Sequence, residues 1–142
     1  MRRFLVGLVL SGAAAFAVAA SPQLPHKAPA DARAYIIGPA DGATVGRDVK
    51  VRFGLSGMGI APAGVEKEYT GHHHLLIDVA VLPAAGKPIP NDERHKHFGG
   101  GQTETVLHLP PGTHTLQLEL GDANHVPFGP PIVSKRITIH VQ

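Results

Sequence analysis

The feature that most limits the fold of this chain is the spacing of its apolar residues. From Ala34 to the C-terminus they come in short runs with a period of two, cut by glycine and proline turns. No stretch beyond about ten residues keeps a helical period, and 17 Gly and 13 Pro supply the turns. Alternation sends successive side chains to opposite faces of a strand. Strands are therefore expected at about 34–37, 48–55, 72–82, 95–98, 103–109, 113–120 and 132–141. In the second, Val49, Val51, Phe53 and Leu55 point inward and Lys50 and Arg52 outward. Leu75, Ile77, Val79 and Val81 share one face of the third. Leu116, Leu118 and Leu120 do so in the sixth, and Val133, Ile137, Ile139 and Val141 in the last. About seven short strands in one small domain predict an all-β, immunoglobulin-like sandwich; a small jelly roll or barrel is the alternative.

The N-terminus reads as an export signal over residues 1–20. Arg2 and Arg3 precede an apolar run from Phe4 to Ala20, and small residues at Ala17, Ala19 and Ala20 fit a cleavage site. The run is shorter and more Ala-rich than a spanning helix, which needs about 20 apolar residues, so no stable membrane insertion is expected after cleavage. The predicted location is periplasmic or secreted. Residues 21–33 are rich in Pro and Ala without periodicity and are expected to be a flexible segment, which leaves 34–142 as the folded domain. Removing Arg2 and Arg3 from the 13 basic residues leaves 11 against 11 acidic ones. A neutral mature chain gives no electrostatic basis for a nucleic-acid partner. The chain has no cysteine, so no disulfide holds it together, and both thiolate ligands and a cysteine nucleophile are excluded.

Ten of the 142 residues are histidine, and they sort by position. His72 and His74 fall on one face of a strand, about 7 Å apart. Such a pair is a two-nitrogen chelate for Cu(II), Zn(II) or Ni(II), because imidazole is largely neutral at pH 7. His95 and His97 repeat the spacing. In an immunoglobulin-like sandwich the loops before the third strand, after the fourth and after the sixth gather at one end. That topology brings His72, His74, His97 and His125 to one rim, with Met58, Gln102 and Glu104 nearby. These are the candidate metal ligands, Glu104 and Met58 as possible additions to the four histidines; for Met58 the alternative is a hydrophobic plug. His73 shares the core face with Leu75 and Ile77 and reads as a wedge at the core edge. His114 reads as a corner cap bonded to backbone, His26, His108 and His140 as solvated. Asp78 is expected to pair with a base on a neighbouring strand or to orient a histidine. Gly99–Gly101 reads as a tight turn with positive φ, since no helix follows to make it a phosphate cradle.

The stretches FGLSGMGIAPAG, TGHHHLLID, HKHFGGGQTE, PPGTHTLQLELGD and HVPFGPP resemble a bacterial exported family labelled domain of unknown function 4399, across nearly all of 34–142. The resemblance implies an exported domain without an established reaction. Its motifs fall on His72, His74, His97, Gly99, Gly101, Gln102, Glu104, His114, Asp122 and His125. A β-sandwich with a His-x-His strand is also found in copper/zinc superoxide dismutase, but the other histidine spacings and the disulfide are lacking here.

Two functions from different classes fit. One is a periplasmic metal-binding module, a carrier, buffer or sensor for a copper or zinc ion, with copper favoured by the Irving–Williams order. The other is a non-catalytic module for an envelope protein or polymer, its histidines ordering the loops through hydrogen bonds. A hydrolase with His97 or His125 as base and Glu104 as partner is a weaker third reading. No serine elbow accompanies those residues, and the chain reads as a non-enzyme more readily than as an enzyme.

Overall fold

The computed structural model describes residues 24–142. The expected signal peptide over 1–20 lies outside the described residues. Nine strands form two sheets, with no helix among the described residues: β1 (Arg33–Gly38), β2 (Thr44–Val45), β3 (Asp48–Ser56), β4 (Gly59–Ile60), β5 (Thr70–Ile77), β6 (His95–His97), β7 (Glu104–His108), β8 (Gly112–Gly121) and β9 (Ile137–Val141). One sheet has the order β1-β3-β7. The other runs β2-β9-β8-β5-β4, with β6 also paired to β5. The domain is an open all-β sandwich rather than a closed barrel.

Alternation decides the core. Val49, Val51 and Phe53 of β3 meet Leu75 of β5, Leu116, Leu118 and Leu120 of β8, and Ile139 of β9 in one buried cluster. Removing each such side chain from water stabilises the fold by roughly 1.5–3 kcal/mol. Two expected strands are shortened. The third was expected to run to Leu82 but stops at Ile77, because Asp78 turns the backbone with a φ of 54°. There its Oδ1 accepts the Thr115 N–H at 2.8 Å. Val81, expected inward, is 80% exposed. The last strand is interrupted as well. The Ser134 hydroxyl accepts the Leu118 N–H at 2.8 Å in place of a carbonyl, and regular pairing begins only at Ile137. Val133 consequently bridges to Glu119 on the face away from the core.

Residues 26–32, expected within a flexible segment, are tied to the domain. Gly129 donates its N–H to His26 O at 2.8 Å, Ala28 donates to Gly129 O at 3.0 Å, and Ala28 and Ala32 are buried. The side chains of Ala28 and Ala32 join the core cluster, which explains why composition alone misread the segment.

Strand β5 positions everything that follows. It lies between β8 on one side and β4 and β6 on the other, and every residue from Gly71 to Ile77 is buried. One face (His73, Leu75, Ile77) belongs to the sandwich interior. The opposite face (His72, His74, Leu76) is covered by loops: Leu76, Ile89, Ala123 and Val126 are buried but stand outside the main core cluster. Ile89 is held there by its N–H, which donates to His125 O at 2.8 Å.

Candidate metal centre

Register builds the centre. His74 of β5 lies opposite His97 of β6 and, on its other side, opposite Glu119 of β8, while His72 lies opposite Gly121. Directly opposed residues of antiparallel strands share a face, with Cβ atoms about 4.5–5.5 Å apart. His72, His74, His97 and Glu119 therefore rise from the outer face of the six-stranded sheet. His125 reaches the same place from the loop after β8. It adopts a φ of 67°, and its N–H donates to Asp122 O at 2.9 Å. The Asp122 carboxylate fixes that loop by accepting the N–H groups of Asn124 at 2.8 Å and Val126 at 2.9 Å.

The four imidazoles are mutual neighbours, every pair of ring centroids being 4.6–6.0 Å apart. One nitrogen from each of His72, His74 and His97 lies within 4.8 Å of the others. His125 stands beside that triad, its ring 4.6 Å from that of His97. The Nε2 atoms of His72 and His97 are 3.2 Å apart. Nitrogens bound at about 2.0–2.1 Å to one tetrahedral ion lie about 3.3 Å from each other, so this pair already has the spacing of a chelate.

Two glycines make room. A Cβ on Gly121 would come within 2.7 Å of His74 Cε1 and 3.1 Å of its Nδ1, and one on Gly99 would overlap the His97 ring. Gly101 has a φ of 82°, as expected of a tight turn.

Burial keeps His72, His74 and His97 neutral. Burial pushes His72 down to about 4, helped by the neighbouring rings of His125 and His97. It pushes His74 to about 3, helped by His72, His97 and His125. His97 is lowered for the same two reasons, burial and His125. At neutral pH these rings therefore offer lone pairs rather than protons. Beside them, burial drives the Glu119 carboxyl up to about 7. Neither oxygen of Glu119 has a hydrogen-bond partner, and neither nitrogen of His74 has one.

The other expected residues fall elsewhere. The cluster occupies a covered sheet face, not the loop rim expected from topology, because β6 pairs alongside β5 and carries His97 onto the same surface. Glu104, expected near the ligands, projects from β7 in the other sheet, where its carboxylate meets Lys50 Nζ at 3.1 Å. Met58 packs against the hydrophobic core, in line with a plug rather than a ligand. His73 lies in the interior with its ring 5.3 Å from that of Phe53. His114 caps the corner: its Nε2–H donates to Pro110 O at 2.9 Å, and its Nδ1 pairs with Asp78 Oδ2 at 2.8 Å. Asp78 thus pairs with a neighbouring strand's base. Glu119 escaped the sequence reading entirely. Its position between Leu118 and Leu120 marks it only as outward, and outward normally means solvated.

The model of a domain of unknown function, DUF4399, matches residues 51–142. The chain belongs to the DUF4399 family. The matched region runs from β3 to the C-terminus and contains all four clustered histidines and Glu119. No curated protein and no solved structure matches the chain.

Proposed function

We propose that this DUF4399 domain is a metal-binding module of the cell envelope, a carrier, buffer or sensor for copper or zinc. His72, His74 and His97 are its ligands, with His125 as the fourth. The observation that carries this reading is the set of buried imidazole nitrogens without partners. His72 Nδ1 and both nitrogens of His74 have no hydrogen bond, and the four rings share a single ring-to-ring bond, between His72 and His97. The nitrogens of His73 are equally unpaired but stand alone in the interior; adjacent rings that served only to order loops would pair with one another or with backbone, because an unpaired buried polar group costs about 1–3 kcal/mol. A cation accepting one lone pair from each ring removes that cost at the nitrogen it binds. Donors that are all nitrogen, neutral at pH 7 and partly desolvated suit Cu(II) and Zn(II), with copper ahead in affinity. An envelope location rests on the signal-like N-terminus and would supply these ions outside the cytosol.

The test is calorimetric titration of Cu(II) or Zn(II) into chelator-washed, untagged protein. A stoichiometric complex is expected, and His72→Ala/His74→Ala should abolish it while far-UV circular dichroism stays β-type. Heats that are the same in the double variant would overturn the assignment and favour the loop-ordering role.

A further inference from the structure

Glu119 is the one buried acidic residue, among those described, that no protein group satisfies. Asp122 is also buried, but its carboxylate is occupied by two backbone N–H groups and by His26 at 3.1 Å. Glu119 is 0% exposed, and both its oxygens lack partners. Its setting explains neither fact. Along β8 its nearest neighbours on the same face are Gln117, whose Nε2 is turned to Ser134 O at 2.9 Å, and Gly121, which has no side chain. Across the sheet it faces Val133 on one side and His74 on the other. The imidazole of His74 is thus the polar side chain directly opposite it. Isolated burial of a carboxylate is costly, and a leucine here would continue the apolar character of the strand without that cost.

The imidazoles of His72, His74 and His97, held neutral by burial, bring no charge of their own. A cation among them would sit in a place from which water is largely excluded, since His72 and His74 are 0% and 1% exposed. Coulomb attraction is strong there, and an uncompensated charge is correspondingly expensive. The Asp122 charge is felt at His72, but its oxygens are engaged by backbone N–H groups and His26; a carboxylate with free oxygens on the same sheet face, one strand away from His74, is what such a site lacks.

We propose that Glu119 belongs to the ion site: its carboxylate supplies the counter-charge for a cation held by His72, His74 and His97, acting across the β5–β8 pair beside His74. This rests on the metal-binding reading above and deepens it. The site then consists of neutral nitrogen donors on β5 and β6 and one anionic group on β8, and β8 joins the functional surface rather than merely supporting it.

The experiment compares the untagged wild-type chain with Glu119→Gln, Glu119→Met and His72→Ala/His74→Ala. Each is titrated with Cu(II), with Zn(II), and with Cu(I) under anaerobic conditions, and the thermal midpoint of each metal-free form is recorded. Both Glu119 variants should remain folded with a midpoint at or above that of wild type, because a costly buried acid has been removed. Both should bind the ions on the order of 10–100-fold more weakly. Wild-type affinity in the two Glu119 variants, with binding abolished in the histidine variant, would overturn this inference and leave the metal site standing. A midpoint well below wild type in both, with affinity falling only in step, would make Glu119 a structural group and overturn it as well. Absence of stoichiometric binding by the wild type would overturn the metal reading and this inference together.

Discussion

Eight of the ten histidines fall into two kinds that the fold treats in opposite ways; His73 in the interior and His140 beside Thr113 belong to neither. His26, His95, His108 and His114 each pair with an aspartate, at 3.1, 2.8, 2.8 and 2.8 Å. His72, His74, His97 and His125 have chiefly one another. The difference shows most clearly between His114 and His74. Both are on strands of the six-stranded sheet. His114 has both nitrogens satisfied, and the Asp78 hydrogen bond pulls its pKa up. His74 has neither satisfied, and burial pulls its pKa down to about 3. Asp78 beside His114 makes that imidazole a better proton holder and fixes it in place. Removing the aspartate and the water leaves an imidazole that keeps its lone pairs free. The comparison teaches that the two classes differ in what surrounds them, carboxylates for one and other imidazoles for the other, and the second setting is the one the proposed ion site calls for.

The sharpest way to break the contrast is to crowd the cluster without touching a histidine. Gly121→Ala places a methyl against the His74 ring and should cost about 1–3 kcal/mol of stability through overpacking. It should also weaken metal binding by on the order of 10-fold through displacement of that ring. Thermal melting and calorimetry on the same sample separate the two effects. Unchanged binding would mean that His74 is not a ligand in its present position.

A change to the other class should do the reverse. His114→Ala removes two hydrogen bonds, one of them to a carboxylate. It should lower stability by about 1–3 kcal/mol while leaving metal affinity as it was. Urea unfolding measures the first and calorimetry the second.

Acid provides the mildest probe, because the two classes respond with opposite sign. His72, His73 and His74 have folded values near 4, 4 and 3 against 6.5 when unfolded. The unfolded chain therefore binds more protons, and stability present above pH 6.5 is lost as the pH falls toward 4. His114 is raised, so its contribution is complete below 6.5 and fades as the pH rises through its folded value. Glu119, near 7 when folded and raised from 4.5, works with His114 between 4.5 and 7 but against three histidines. Metal-free protein should thus unfold at lower urea concentration at pH 5 than at pH 7. His72→Ala/His74→Ala should flatten that dependence. A dependence equally steep in the variant would place its origin elsewhere.

Much of this was legible in the sequence, and the omissions have a common physical source. Alternation located the seven main strands and sorted Val49, Val51, Phe53 and Leu116–Leu120 correctly, because a period of two is a local property of the strand. It also put His72 and His74 on one face and His73 on the other. Alternation does not tell which outward face will be covered. The loops that close over Leu76 and His74 come from residues beyond the strand, through Ile89 and Val126, so the site was expected at a loop rim and nothing in the sequence singled out Glu119. Glu104 and Met58 were drawn in by their nearness in sequence to turns. Register sends Glu104 to the other sheet, and packing sends Met58 to the core. The left-handed Asp78 ends one strand early and the hydroxyl of Ser134 delays the start of another, and neither residue type announces such a break by itself.

The unequal anchoring of the four histidines has a kinetic meaning. His72, His74 and His97 are fixed on adjacent hydrogen-bonded strands and cannot separate without breaking the ladder. His125 stands on a short loop whose shape depends on Asp122. A cation held by all four would therefore leave by losing one bond at a time, beginning with His125, while the strands retain the other three. Affinity would be set by the sheet and residence time by the loop, so the loop is where an acceptor molecule could intercept the ion during transfer.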